Sequence, residues 1–166
     1  MRIISAFIAA SMFPAVAFAG DIAPRDGWVV METTRDHATL MADLKKAVSR
    51  NGMGVVTQAG PTAAARGRGI EIPENRVVGV FNNDFAVKIL NLSTAAMIEA
   101  PVRFYVTEAE DGTATLSYKK PSFVFAPYVD EGGAALEALV RDLDARFELI
   151  AADATKQVAR ITRARP

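Results

Sequence analysis

The side chains that could carry acid–base or metal chemistry are few in this sequence. The chain has a single histidine, His37, and no cysteine. An imidazole titrates near neutral pH and can act as a general base, but a transition-metal site needs several donors. The lack of cysteine excludes disulfides, thiolate nucleophiles and iron–sulfur clusters. We therefore expect a surface or capping role for His37, and predict no catalytic residue, no metal site and no cofactor.

One short segment could bind an anion. The run Arg66-Gly67-Arg68-Gly69 places two guanidinium groups, those of Arg66 and Arg68, on a glycine-rich backbone. It lacks the terminal Lys-Ser/Thr of a phosphate-binding loop and the glycine spacing of a dinucleotide-binding motif. A solvated loop is the competing interpretation. The acids Glu108, Glu110 and Asp111 fall at the tip of a predicted hairpin, where they need no catalytic explanation.

Aromatic side chains provide the other candidate site. Phe123, Phe125 and Tyr128 form the densest aromatic group, and in an extended segment Phe123 and Phe125 would share one side. They could close the core beneath the last helix, or form an apolar pocket mouth or a self-association surface. We add Asn82, Asn83 and Phe85, at the start of a short helix, to these candidate ligand-binding or interface residues.

Composition restricts the class of protein, and the first 19 residues indicate where it resides. The 166 residues include 19 basic and 19 acidic side chains, so no net charge attracts a polyanion and nucleic-acid binding is not expected. Residues 1–19 combine Arg2, a short apolar run and Ala17-Phe18-Ala19, the pattern of a secretory signal peptide. We predict cleavage after Ala19 and a periplasmic or secreted protein with no later membrane span.

The remaining sequence alternates strand and helix patterns. Strands are predicted over 28–33, 54–58, 76–81, 101–107 and 113–118, the last two joined by a turn at Asp111-Gly112. A helix capped by Thr34 or Asp36 runs to Asn51-Gly52, and a strand–helix–strand unit of this length predicts that the first two strands are parallel. One helical turn and a loop are expected over 61–69, and an edge strand or extended connection over 119–127.

The last predicted helix completes a single domain. It begins near Asp130, and its apolar residues recur every three or four positions: Leu136, Leu139, Val140, Leu143, Phe147 and Ile150. The fold class is therefore α+β, a two-layer sandwich whose mixed, mostly antiparallel sheet carries helices on one face. We divide the mature chain into a short lead (20–27), the domain (28–151) and a basic tail (152–166).

Three stretches of this domain carry a family resemblance. They are the amphipathic helix running into Asn51-Gly52-Met53-Gly54-Val55-Val56, the strand Arg76–Phe81 followed by Asn82, and Pro101–Val106. From about Trp28 to Ala151 the chain resembles the domain of unknown function 302 (DUF302) family, although Asn83 stands where similar members have proline. The resemblance implies a compact α+β fold able to pair as homodimers, and it implies no reaction.

These observations lead to one functional hypothesis and one rival. We predict an exported, non-enzymatic module that binds a small or apolar ligand or assembles, with a homodimer as its expected partner. The rival is a hydrolase or other enzyme whose carboxylates and arginines no motif reveals, and clustered ionisable groups in one cleft would favour it. Attachment to envelope polyanions through the basic tail is a third hypothesis.

Overall fold

The computed structural model describes residues 22–156. The predicted signal peptide and most of the basic tail lie outside these residues, so both stay predictions. Five strands and five α-helices make up the described part of the chain. The strands are β1 (Trp28–Glu32), β2 (Gly54–Ala59), β3 (Asn75–Phe81), β4 (Val102–Glu108) and β5 (Ala114–Lys119). The helices are α1 (His37–Arg50), α2 (Thr62–Arg66), α3 (Asn83–Leu92), α4 (Pro121–Phe125) and α5 (Val129–Thr155). Short 3₁₀ turns span Ala95–Glu99 and Ala126–Tyr128.

The strands form one sheet in the order β1-β5-β4-β3-β2, and every neighbouring pair is antiparallel. The predicted α+β class is confirmed, and so is the parallel direction of β1 and β2, but the sheet is antiparallel throughout rather than mixed. Those two strands do run in the same direction, yet they form opposite edges of the sheet with three strands between them. Helix α1 therefore crosses the whole sheet, and the later strands fill the gap.

Local signals in the sequence fix the helix ends. The carboxylate of Asp36 accepts a hydrogen bond from the Thr39 N–H at 2.9 Å, which caps α1. The helix ends at Asn51, and Gly52 follows with a positive φ of 70°, the left-handed conformation that glycine adopts without strain. The Asp111-Gly112 turn joins β4 to β5 as predicted, with Glu108 paired to Ala114.

The core lies between the helices and one face of the sheet. Val102, Phe104 and Val106 point into it, as the alternation along β4 predicted. The ring of Phe104 stacks on that of Phe147 from α5 with centroids 4.5 Å apart, and it meets Tyr118 edge-on at 5.2 Å. Among residues 22–156, no helix combines the length and the apolar character that crossing a bilayer requires.

The segment after β5 is helical, so the predicted edge strand or extended connection over 119–127 is wrong. Pro121 stands at the start of α4, where its fixed φ favours a helix and its missing N–H costs nothing. The Ser122 N–H donates to the Asp144 carboxylate of α5 at 2.8 Å, which fastens the short helix to the long one. As a result Phe125 is buried and Phe123 is exposed, and the two rings do not share a side.

Candidate functional site

The face of the sheet opposite the core is the first candidate site, and we call it the open face. Alternation along the paired strands places these side chains on it: Trp28, Val30, Glu32, Thr57, Val77, Arg103, Tyr105, Thr107, Thr115, Ser117 and Lys119. Trp28, Val30, Val77 and Tyr105 are half-buried, whereas Arg103 and Lys119 are exposed. Antiparallel sheets often leave one face to solvent or to a partner.

Charge is distributed unevenly along the open face. Lys119 lies opposite Trp28 at the start of β1, and Arg103 occupies the same end of β4. Glu32 lies at the other end, opposite Thr115, beside the β4–β5 turn that carries Glu110 and Asp111. One end of the open face is therefore basic and the other is acidic.

A cleft of about 300 Å³ lies at the basic end of the open face. Its lining residues are Trp28, Val77, Val102, Arg103, Phe104, Tyr105, Tyr118, Lys119 and Val124. The Trp28 ring lies 5.6 Å from the Lys119 ammonium and 5.1 Å from the Arg25 guanidinium, both within cation–π range. We call this cavity the Trp28 cleft.

Phe123, a predicted site residue, packs on the backbone just before Trp28. A Cβ built on Gly27 would lie 2.1 Å from the Phe123 ring, so only glycine permits this approach, and Gly27 also has a positive φ of 73°. Phe123 thus covers Gly27 but is absent from the lining of the Trp28 cleft.

Phe125 and Tyr128 lie on the core side of the fold. The Phe125 ring is fully buried, 6.5 Å from the ring of Tyr128. The Tyr128 hydroxyl donates to the Glu99 carboxylate at 2.9 Å, and this hydrogen bond raises the pKa of the phenol. Phe125 is therefore part of the core, and Tyr128 links the two 3₁₀ turns through Glu99.

Asn82 and Phe85 lie at the junction of α3 with the end of α1. The Asn82 side chain accepts from the Phe85 N–H at 3.1 Å, which caps α3, and its amide donates to the Gly52 carbonyl at 2.8 Å. The Arg146 guanidinium of α5 lies 5.6 Å from the Phe85 ring. Asn82 and Phe85 line an open cavity of about 650 Å³ that none of Phe123, Phe125 and Tyr128 reaches.

The remaining predicted residues are exposed. Asn83 begins α3 with its side chain in solvent, and Arg68 lies in the loop after α2. Arg66 donates to the Glu74 carboxylate at 2.8 Å, so its charge already has a partner within the chain. The predicted residues thus occupy separate parts of the fold rather than one site.

His37 differs from its expected surface or capping role, because it is the first residue of α1 and only 9% exposed. The first turn of the helix packs against β4, which turns the imidazole inward. Nε2 is buried and has no hydrogen-bond partner among the described residues. Burial lowers the pKa of the imidazole; Glu74, Glu108 and a hydrogen bond to the backbone of Val106 act in the opposite direction, and Arg76 adds to the lowering.

A second cleft, open to solvent and about 580 Å³ in volume, brings His37 together with ionisable residues of α1, β3 and β4 and of the segments just before α1 and β3. Its lining residues are Asp36, His37, Ala38, Met41, Lys45, Gln58, Glu74, Arg76 and Glu108. Its carboxylates have other partners: Glu108 accepts from the Glu74 N–H at 2.8 Å, and Glu74 accepts from Arg66. Within residues 22–156, no group of three or more His, Cys, Asp or Glu side chains could hold a metal ion.

The lowered pKa of His37 predicts a loss of stability in mild acid. Because the unfolded chain binds a proton near pH 6.5 and the folded chain only at lower pH, stability is complete above pH 6.5 and falls as the pH drops toward the folded value. Urea unfolding of the wild type between about pH 7.5 and 5 should show this decline. His37→Gln should flatten it, and equal pH slopes for the two proteins would contradict the prediction.

Sequence patterns predict only part of the Trp28 cleft and of the cleft beside His37. The alternation along β4 does place Arg103 and Tyr105 on the face away from the core. No local pattern, however, joins them to Trp28, the only tryptophan in the chain, because β5 separates the two strands in the sheet. The ionisable residues around His37 come from α1, β3, β4 and two connecting segments, so no sequence motif contains them.

These observations define a two-layer α+β protein whose antiparallel sheet has one open face. The chain belongs to the DUF302 family, because the family model described as "Domain of unknown function DUF302" matches residues 29–154. The resemblance carried by Asn51–Val56, Arg76–Asn82 and Pro101–Val106 is thereby confirmed.

A solved relative agrees with the fold. The crystal structure of an uncharacterized conserved protein DUF302 from Bacillus stearothermophilus matches with a TM-score of 0.66 at 19% sequence identity. The match covers 80% of this chain and 98% of that chain, and at this identity it shows the fold alone. No curated protein matches the chain.

Proposed function

We propose that this protein is an exported, non-enzymatic assembly module that forms a homodimer through its open face. The observation that carries the proposal is the one-sided sheet: five strands bury one face under helices, while the open face presents Trp28, Val30, Val77 and Tyr105 half-exposed. Aromatic and apolar side chains with arginine are the composition found in the centres of protein–protein interfaces.

The charges of the open face favour one arrangement of the two copies. A two-fold axis in the plane of the sheet and perpendicular to the strands would bring the basic end of one copy, with Arg103 and Lys119, against the acidic end of the other, with Glu32. An axis parallel to the strands would place like charges together, which costs free energy. The perpendicular axis is therefore the geometry we propose.

Sedimentation velocity of the mature chain across a concentration series tests the dimer. We expect a monomer–dimer equilibrium that Tyr105→Glu weakens about tenfold or more, because it places a charge at the centre of the interface. Ile98→Glu is the matched control, since Ile98 is 79% exposed on the 3₁₀ turn before β4 and lies off the open face. A wild-type protein that stays monomeric at every concentration would overturn the proposal.

Charge reversal tests the geometry separately. Lys119→Glu alone should weaken the dimer, and Glu32→Lys in the same chain should restore it, because the two residues meet across the interface only with the perpendicular axis. Weakening without restoration would leave the dimer but exclude this axis.

Export rests on the signal pattern of residues 1–19 and has its own test. Mass spectrometry of the protein recovered from the periplasm or medium of a bacterial host should give a chain that begins at Gly20. A full-length chain retained in the cytoplasm would contradict export and leave the homodimer untouched.

The cleft beside His37 favours the rival enzyme function, because a buried imidazole and carboxylates from separate elements meet there. A panel of chromogenic ester, phosphate and glycoside substrates tests this function. Turnover by the wild type that His37→Gln abolishes would replace the non-enzymatic assignment with an acid–base enzyme.

A further inference from the structure

We infer that the Trp28 cleft is a binding site for a small apolar carboxylate, a short hydrocarbon or aromatic group that carries one negative charge. This site goes beyond the proposed homodimer and does not require it; because the dimer would place Glu32 of the second copy against Arg103 and Lys119, a ligand and a second copy compete for the same end of the open face. Trp28, Val77 and Tyr105 present half-buried apolar or aromatic side chains to the cleft, and Arg103 and Lys119 add two cations, whereas the side chains of Val102, Phe104 and Tyr118 belong to the core. Within residues 22–156, none of the residues that line it is acidic.

The volume and the apolar lining set the size and the body of the ligand. A cavity of about 300 Å³ is at the small end of the range for ligand sites. Trp28, Tyr105 and Val77 lie on three different strands, so the sheet holds these side chains in fixed positions. Apolar surface in contact with them is removed from water, which favours binding at roughly 25 cal/mol per Å².

The two cations set the charge of the ligand. Among the described residues, the side chains of Arg103 and Lys119 pair with no carboxylate and donate to no carbonyl, and the Lys119 ammonium lies over the Trp28 ring. A free guanidinium presents a planar fork of N–H donors that matches the two oxygens of a carboxylate. An anion with an apolar body therefore satisfies both parts of the cleft.

The chain supplies its own probe of this site. Trp28 is the only tryptophan, so its fluorescence reports contact within the cleft without a label. Octanoate and 1-octanol share one hydrocarbon chain and differ in charge, and titrating each into the mature wild-type protein separates the apolar contribution from the ionic one. We expect saturable changes in Trp28 emission with octanoate at about tenfold lower concentration than with octanol.

Two variants assign the charge preference. Arg103→Gln should weaken octanoate binding about tenfold while leaving octanol binding unchanged. The Arg103 side chain is exposed, so we expect the variant to keep the fold, and a thermal scan checks this. Arg68→Gln, an exposed arginine outside the cleft, should bind as the wild type does. Equal binding of octanoate and octanol, unchanged octanoate binding in Arg103→Gln, or no saturable change would each overturn the inference.

These readouts separate the two proposals. Failure of the homodimer appears in sedimentation, whereas failure of the site appears in fluorescence. Both titrations are read at protein concentrations on either side of the monomer–dimer midpoint. Octanoate binding that persists in the monomer supports the cleft by itself, and binding lost in the monomer would overturn a site built within one chain.

Discussion

Phe125→Ala should lower the free energy of unfolding by about 3–5 kcal/mol, whereas Phe123→Ala should lower it by about 1 kcal/mol or less. The two residues are of the same type and lie two positions apart, but Phe125 is 0% exposed and Phe123 is 47% exposed. Removing the buried ring leaves a cavity in the core, while removing the exposed ring loses mainly its contact with Gly27. The contrast follows from the helical conformation of α4.

Urea unfolding followed by circular dichroism measures both values under one condition. The midpoint should fall much further for Phe125→Ala than for Phe123→Ala, with similar slopes in the two transitions. Equal losses would contradict the helix, because they are what an extended segment with both rings on one side would produce.

The sequence predicts the parts of this fold that short-range chemistry determines. Asp36 caps α1, Gly52 ends it, and Asp111-Gly112 forms the hairpin turn, each by a conformation available to that residue type. The alternation of Val102, Phe104 and Val106 correctly identifies the buried face, because burial on one face imposes a period of two.

Strand order and the conformation of residues 119–127 depend on contacts that the local sequence does not contain. A strand–helix–strand pattern predicts that β1 and β2 run in the same direction, but the three strands between them come from later in the chain. Phe123 and Phe125 alternate like strand residues, yet Pro121 and the bond from Ser122 to Asp144 of α5 favour a helix. Tertiary packing overrides the local pattern there.

The candidate sites are the least predictable part of the molecule for the same reason. The Trp28 cleft combines residues of β1, β3, β4, β5 and α4, so it exists only once the strand order is known. The expectation for His37 fails because one histidine near a helix start is usually exposed. The ring of His37 turns inward because α1 packs on the sheet, and this packing is not visible in the local sequence.

Asn82→Ala should lower the free energy of unfolding by about 1–2 kcal/mol, because this side chain makes two structural hydrogen bonds. Its oxygen caps α3 through the Phe85 N–H, and its amide holds the Gly52 carbonyl at the end of α1. The expected loss is large for a residue that is not fully buried, and thermal or urea unfolding measures it.

Two further variants separate the bonds of Asn82 and test its candidacy as a site residue. Asn82→Asp keeps an oxygen that caps α3 but has no amide to donate to the Gly52 carbonyl. It should therefore lose less free energy of unfolding than Asn82→Ala does. Asn83→Ala, one residue later and exposed, should change stability by less than about 0.5 kcal/mol. If Asn82→Ala is as stable as Asn83→Ala, the cap and the link to Gly52 do not hold α3, and the side chain is free to contact a ligand or partner. A graded loss across the three variants instead assigns Asn82 to the fold, because ligand recognition would not order them by the hydrogen bonds that each retains.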